Sequence, residues 1–264
     1  MLDKNLIYNY YYSWWKNIDK FILFLILSLF FLGLFFSLVS TSLIASDKLN
    51  TNSYYFFLKH FVYISLGITI LIFFSFLDQK ILINISLALF FITFLTLVLV
   101  PLFGIEVKGS KRWLDLPFLP RFQPIEILKP FFIITLSLLL SLKNRKLYLK
   151  YIFSTILIFP ILFLLIYQPD LGQSLLISII WLALVFVSGI NIFLFFIFFS
   201  TVGLIVSYLV FFVPKFEYIK IRLVSFLDSS SGNNYQAERA SDAIINGGFF
   251  GKGIGEGTLN FRVP

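Results

Sequence analysis

Residues 151–213 read YIFSTILIFPILFLLIYQPDLGQSLLISIIWLALVFVSGINIFLFFIFFSTVGLIVSYLVFFV, and Asp170 is the one charged side chain among them. A bilayer core about 30 Å thick is crossed by about 20 mostly apolar residues in a helix. The stretch therefore divides into three spans, Tyr151–Tyr167, Leu171–Ser188 and Gly189–Val213. Its apolar runs do not alternate with polar residues, which excludes a porin-type barrel. The rest of the chain agrees. It is 59% hydrophobic and 13% charged, with a mean hydropathy of +0.94, whereas soluble domains are about 45–50% apolar and about 25% charged. Thirty-six Phe exclude disorder, and zero Cys exclude a disulfide scaffold. One His removes His-based zinc sites and Ser/His or Cys/His nucleophiles, unless His60 serves. The net charge of +8 suits lipid phosphates better than nucleic acid.

Working towards the N-terminus, four more spans follow the same rule: Phe21–Ala45, Phe56–Phe76, Ile81–Phe103 and Pro124–Leu142. The fold class is thus all-α, a polytopic membrane bundle with seven spans over 21–213. The first span is no signal peptide, being too long and preceded by an aromatic, charged segment. That segment, residues 1–20 with Trp14 and Trp15, suits an aromatic belt at headgroup level. The short basic loop Lys143-Asn144-Arg145-Lys146 with Lys150 points to the cytoplasm by the positive-inside rule. Counting from it puts 1–20 inside and 46–55, 104–123 and 214–264 outside. Lys108, Lys111, Arg112 and Arg121 then stand on the outer side, which argues either against that count or for an anionic ligand. After Pro214 the apolar runs stop. Ser229–Asn234 reads as a loop, Tyr235–Ile245 as a short polar helix, and the Gly-rich run after it breaks off at Pro264 in mid-loop, as a truncated chain would.

Charges near membrane depth need a reason, at about 2.5–3.5 kcal/mol each. Glu126 and Lys129 are three apart, on one helix face. They form either a first-turn ion pair or the lining of a polar cleft that orders the basic loop before it. Asp170, in Gln168-Pro169-Asp170-Leu171-Gly172-Gln173, is placed to cap the next helix, although the neighbouring Gln and Pro suggest a shaped surface. His60 beside Lys59 marks a membrane interface. Gly251-Lys252-Gly253 lacks the Ser/Thr and the spacing of a P-loop, and GxGxxG is not matched. The glycines there allow either a close backbone approach to a ligand or a flexible linker. In 104–123, Lys108, Lys111 and Arg112 beside Trp113 would suit a lipid diphosphate, while Trp113 alone would be an interfacial anchor.

Three runs resemble the signatures of one family. Gly104-Ile105-Glu106-Val107-Lys108-Gly109-Ser110-Lys111-Arg112-Trp113-Leu114 with Gln123-Pro124-Ile125-Glu126-Ile127-Leu128-Lys129-Pro130 is similar to the first signature of the SEDS (shape, elongation, division, sporulation) proteins. Gln168–Gly172 is similar to the second, and Tyr235-Gln236 with Asn246–Gly257 to the third. Trp14-Trp15 and the Gly-Glu-Gly ending look more like the division branch than the elongation branch. The resemblance implies a ten-span inner-membrane glycosyltransferase that polymerises lipid-linked disaccharide-pentapeptide (lipid II) into peptidoglycan strands at the septum. It implies a class B penicillin-binding transpeptidase and other divisome proteins as partners, and a periplasmic 104–123 and 214–264.

By the same resemblance, Lys111, Arg112, Trp113, Lys129 and Lys252 belong to the diphosphate cleft. Gln123, Pro124, Glu126, Gln168, Pro169, Asp170, Gly253 and Glu256 order it. Positive charge on the leaving diphosphate comes from Arg, Lys or a metal ion such as Mg2+. The family's essential Asp follows a Leu-Pro or Val-Pro, and here Val263-Pro264 ends the sequence. No catalytic residue is therefore expected within the chain, and the fragment itself is expected to be inactive. A flippase for the same lipid would need ionisable residues deep in the spans, and 131–142, 151–167, 174–188 and 192–213 contain none. A non-catalytic scaffold that recruits the transpeptidase is the other alternative.

Overall fold

The computed structural model describes residues 4–38, 54–107, 110–117, 120–142, 146–217, 219–221, 224 and 235–253. Lys108, 143–145, 229–234 and Glu256 lie outside the described residues. The chain divides into two compact units, residues 1–77 with 208–264 and residues 78–207.

In the first unit the aromatic segment is a helix, α1 (Lys4–Asn17). The chain then bends by 86° into α2 (Lys20–Phe36). Asp19 makes the bend, because its carboxylate accepts from Phe21 N at 2.9 Å and Ile22 N at 3.0 Å and so satisfies two first-turn donors of α2. Trp14 fixes the other end of the arrangement. Its indole N–H donates to Ser75 Oγ at 3.0 Å, and its ring stacks on Phe76 at 4.3 Å, where α3 (Tyr55–Ser75) ends.

The second unit carries the core. α4 (Gln79–Phe103) leads into a short antiparallel hairpin, β1 (Ile105–Val107) and β2 (Ser110–Trp113), followed by α5 (Pro124–Ser141), α6 (Leu147–Tyr167) and α7 (Leu171–Val187). Buried residues recur at helical spacing: Phe90 and Leu97 on α4, Leu128, Phe132 and Leu136 on α5, Ile158, Ile161 and Leu165 on α6, Ile177 and Trp181 on α7. One stripe per helix faces the common core, and the remaining faces are left for lipid. The buried indole of Trp181 donates to Ser154 Oγ at 3.2 Å, so its polar edge is satisfied inside the bundle.

α8 (Ile192–Phe212) runs on from residues of the second unit to residues of the first. A 3-10 turn, Pro214–Phe216, and the polar helix α9 (Tyr235–Gly247) follow. Gly248, at φ +64°, ends α9 and donates to Ile244 O at 3.2 Å, a backbone turn that an L side chain would strain.

Four described helices are long and apolar enough to cross a membrane: α3, α4, α5 and α6. The bent pair α1–α2 brings the number to five. α7, with 17 residues, and α8 are apolar helices where the sixth and seventh spans were expected. α6 starts one turn before the expected span, at Leu147. One expectation changes. The segment 104–123, read as a loop in an all-α chain, contains the hairpin, with Glu106 opposite Lys111 and Val107 opposite Ser110. Leu114 and Phe122 then close the base of the segment through paired backbone bonds of 3.0 and 3.1 Å.

Candidate functional site

Pro124 starts α5 with its ring at the first helical position, where the missing N–H costs nothing. α6 ends at Tyr167 and α7 begins at Leu171, so three helix termini meet at the end of the bundle that carries the hairpin. Two polar clusters occupy that end.

The first is built around the turn 168–170. Arg112 reaches across from β2: its Nε donates to Gln168 O at 3.4 Å and its Nη2 donates to Pro169 O. These carbonyls follow the C-terminus of α6, where a cation is favourable both as a cap and against the helix dipole. Asp170 lies on the other side of the same guanidinium, with Oδ2 at 3.8 Å from Nε, and accepts from Gln123 Nε2 at 2.8 Å. The Asp170 side chain is 9% exposed, so its charge is held by these two partners. Gln168, also buried, donates to Leu97 O on α4 at 3.5 Å.

The capping reading of Asp170 needs correction here. The residue occupies the N-cap position of α7, but its side chain makes no capping bond. Its backbone carbonyl accepts from Ser174 N and Ser174 Oγ instead. The carboxylate is turned away from the helix because Arg112 and Gln123, an opposite charge and an amide donor, outbid the α7 amides.

The second cluster joins α5 to α7. Lys129 Nζ lies 2.6 Å from Glu126 Oε2 and donates to Gln173 Oε1 at 3.0 Å, while Gln173 Nε2 donates to Glu126 Oε1 at 2.5 Å. The three side chains form a closed ring. Lys129 is 16% exposed and Glu126 is 49% exposed, so the cation is held inward and the carboxylate rims it. The ion pair offered as one alternative for these residues is present, with Gln173 added to it. Gln173 was missing from the expected site, although it ends the run that carries Asp170. One turn of helix sets Ser174 and Gln173 on neighbouring faces of α7, one bonded to Asp170 and the other to the ring.

The remaining expected residues are less engaged. Lys111 is exposed on β2, and Trp113, partly buried, pairs with Ile105. Arg121 pairs with Asp115 at 3.2 Å at the surface. Lys252 and Gly253 are exposed and belong to the other unit. Among the described residues no three His, Asp or Glu side chains converge on a point that could hold a metal ion. The Glu126 and Asp170 oxygens are occupied by cations and amides instead.

A helical, multi-pass membrane protein with charge-paired clusters at one end of its bundle is the class defined by this fold and site. Residues 20–263 match the cell cycle protein family of FtsW, RodA and SpoVE, and the chain belongs to that family. It is 33% identical over 251 residues to the probable peptidoglycan glycosyltransferase FtsW of Coxiella burnetii, covering 92% of this chain and 66% of that protein. It is 33% identical over 190 residues to the peptidoglycan glycosyltransferase MrdB of Escherichia coli, covering 64% and 46%. Against its FtsW relative from Caulobacter vibrioides, at 27% identity, it covers 95% of itself and 64% of the relative. The chain therefore spans no more than about two thirds of the length of these relatives. Among solved structures, a chain of a peptidoglycan synthase complex that coordinates polymerization and crosslinking superposes with a TM-score of 0.67 at 25% identity, over 86% of this chain and 65% of that one. A mutant of the rod shape determining protein RodA of Thermus thermophilus shares the fold, with a TM-score of 0.58 over 72% and 60% of the two chains. The family resemblance drawn from the three motifs is borne out.

Proposed function

We propose that this chain is part of a peptidoglycan glycosyltransferase of the division machinery, and that the end of the bundle bearing the hairpin holds the diphosphate of a lipid-linked disaccharide-pentapeptide. The observation that carries this reading is the convergence of Arg112, Gln123, Glu126, Lys129, Asp170 and Gln173 at that end in a member of this family. Glycosyl transfer from a lipid diphosphate needs positive charge on the leaving group and a carboxylate near the acceptor hydroxyl. The clusters supply the first requirement. Lys129 is held ready by Glu126 and Gln173, and a phosphate oxygen can take the place of the half-exposed Glu126 carboxylate. Arg112 acts one step back, since its guanidinium positions the 168–170 turn and with it the start of α7. Lys111 and Trp113 extend the cationic and apolar lining along β2. Neither Glu126 nor Asp170 is assigned as the base: Glu126 stands beside Lys129 on the leaving-group side, and Asp170 is committed to Arg112 and Gln123.

This reading places 104–123 and 214–264 on the periplasmic side of the inner membrane and residues 1–20 on the cytoplasmic side. It places the protein at the septum beside a class B penicillin-binding transpeptidase and other divisome proteins. The test is reconstitution of the complete protein with its transpeptidase and fluorescent lipid II. Glycan ladders that weaken when Lys129 is changed to Met support the reading. Translocation of the lipid without polymer would replace it with a flippase, and neither activity would leave a scaffold.

A further inference from the structure

In the first unit, α2 and α3 leave a groove of about 510 Å³ between them, lined by Gly33, Phe36, Ser37, Phe56, Lys59, His60 and Tyr63. Along α3 its lining runs Phe56, Lys59, His60 and Tyr63, so the two basic groups sit between aromatic residues, and it contains no carboxylate. Lys59, His60 and Tyr63 lie within one turn of each other on α3, at spacings of three and four that put both basic groups beside the tyrosine. Lys59 comes four residues after the start of α3, about 6 Å along the helix axis at 1.5 Å per residue. A helix that crosses the bilayer carries such a position at the boundary between hydrocarbon and headgroups.

A lysine at this depth can simply extend to water. His60 is not explained in that way. A Cβ built on Gly33 would lie 3.7 Å from His60 Nε2, so the imidazole is turned towards α2 and into the groove. Among the described residues neither Lys59 nor His60 has an ion-pair partner. Two basic groups without a counter-ion, at headgroup depth and facing a groove beside Gly33, match one kind of molecule abundant around any membrane protein.

We propose that this groove binds one anionic phospholipid of the surrounding bilayer, with its phosphate on Lys59 and His60 and an acyl chain running inward past Gly33 and Tyr63. A large side chain in place of Gly33 would project into the slot beside the His60 ring. The site is independent of the diphosphate reading given above, since none of its residues belongs to those clusters.

The test uses the full chain, reconstituted in nanodiscs of phosphatidylcholine containing a minor fraction of phosphatidylglycerol. The protein is then extracted in mild detergent, and the lipids that remain bound are counted by native mass spectrometry. The wild type is expected to retain phosphatidylglycerol in preference to phosphatidylcholine. Lys59→Gln and His60→Gln are each expected to lower that preference, Lys59→Gln by about fivefold, the worth of one basic group at an anionic lipid surface. Lys59→Arg is expected to keep it. Gly33→Leu, which fills the slot and leaves both basic groups in place, is expected to lower retention as well. Equal retention of the two lipids by the wild type, or unchanged retention in the Lys59→Gln, His60→Gln double variant, would overturn the proposal. Occupation of the groove by another segment of the chain would give that same unchanged result.

Discussion

α3 and α5 are both apolar enough to cross a bilayer, yet α3 buries none of its residues and α5 buries seven. Hydropathy does not separate them, because lipid and protein interior are equally apolar solvents for a side chain. What separates them is the company each helix keeps. α5 packs against α4, α6 and α7, and its first two turns carry Gln123, Glu126 and Lys129 into contact with α7. α3 presents Leu58, Val62 and Leu66 outward. In a membrane bundle, burial locates the helix around which a site is organised, and length with composition locates only the spans.

Substitutions at four positions would break or sharpen that contrast, each read as thermal unfolding of the full chain in a mild detergent. Arg112→Ala has the largest expected effect, about 2–3 kcal/mol. It leaves the buried Asp170 carboxylate without its cation and the carbonyls of Gln168 and Pro169 without a donor. Arg112→Lys is expected to recover only part of this, since one ammonium cannot fork across both carbonyls. Full recovery would show that charge alone matters there. Leu128→Ala on α5, at a fully buried position, is expected to cost about 2 kcal/mol. That is the low end of the range for core leucines, because in lipid the packing loss remains while the transfer from water does not.

Lys129→Met opens the ring between α5 and α7 and is expected to cost about 1–2 kcal/mol, as Gln173 and Glu126 keep only their mutual bond. Under the proposed function, a much larger drop in polymerisation by the complete protein than in stability would place Lys129 on substrate; parallel drops would make it a strut. Leu66→Ala on α3, a lipid-facing position 55% exposed, is expected to change stability by less than about 0.5 kcal/mol. A loss as large as that of Leu128→Ala would show that another surface covers α3.

The apolar helices were legible because their signal is long and one-dimensional: runs near 20 residues without charge have few alternative fates in a membrane protein. The pairing of Glu126 with Lys129 was legible for a related reason, being three residues apart on one helix. What escaped was non-local or short. The hairpin was present as Ile105-Glu106-Val107 alternation followed by Lys108-Gly109-Ser110, but the density of cations drew the reading towards a loop. Asp170 looked like a cap because its local sequence is a cap sequence. Its actual partner Gln123 is 47 residues away and Arg112 comes from another element, and no local rule contains them. Gln173 escaped for the same reason, its partners being 44 and 47 residues distant.

The right angle at Asp19 has a mechanical consequence. A helix lying across the end of a spanning helix acts as a collar on a shaft. To slide α2 deeper into the bilayer, the polar backbone ends and lysines of α1 would have to follow it into hydrocarbon. To lift it out, the aromatic residues Tyr11, Tyr12 and Trp15 would have to leave the interface they favour. Because Trp14 also fastens the collar to the end of α3, the two helices share one vertical setting. Changes in bilayer thickness would then be met by tilting this pair together, without piston motion of either helix alone.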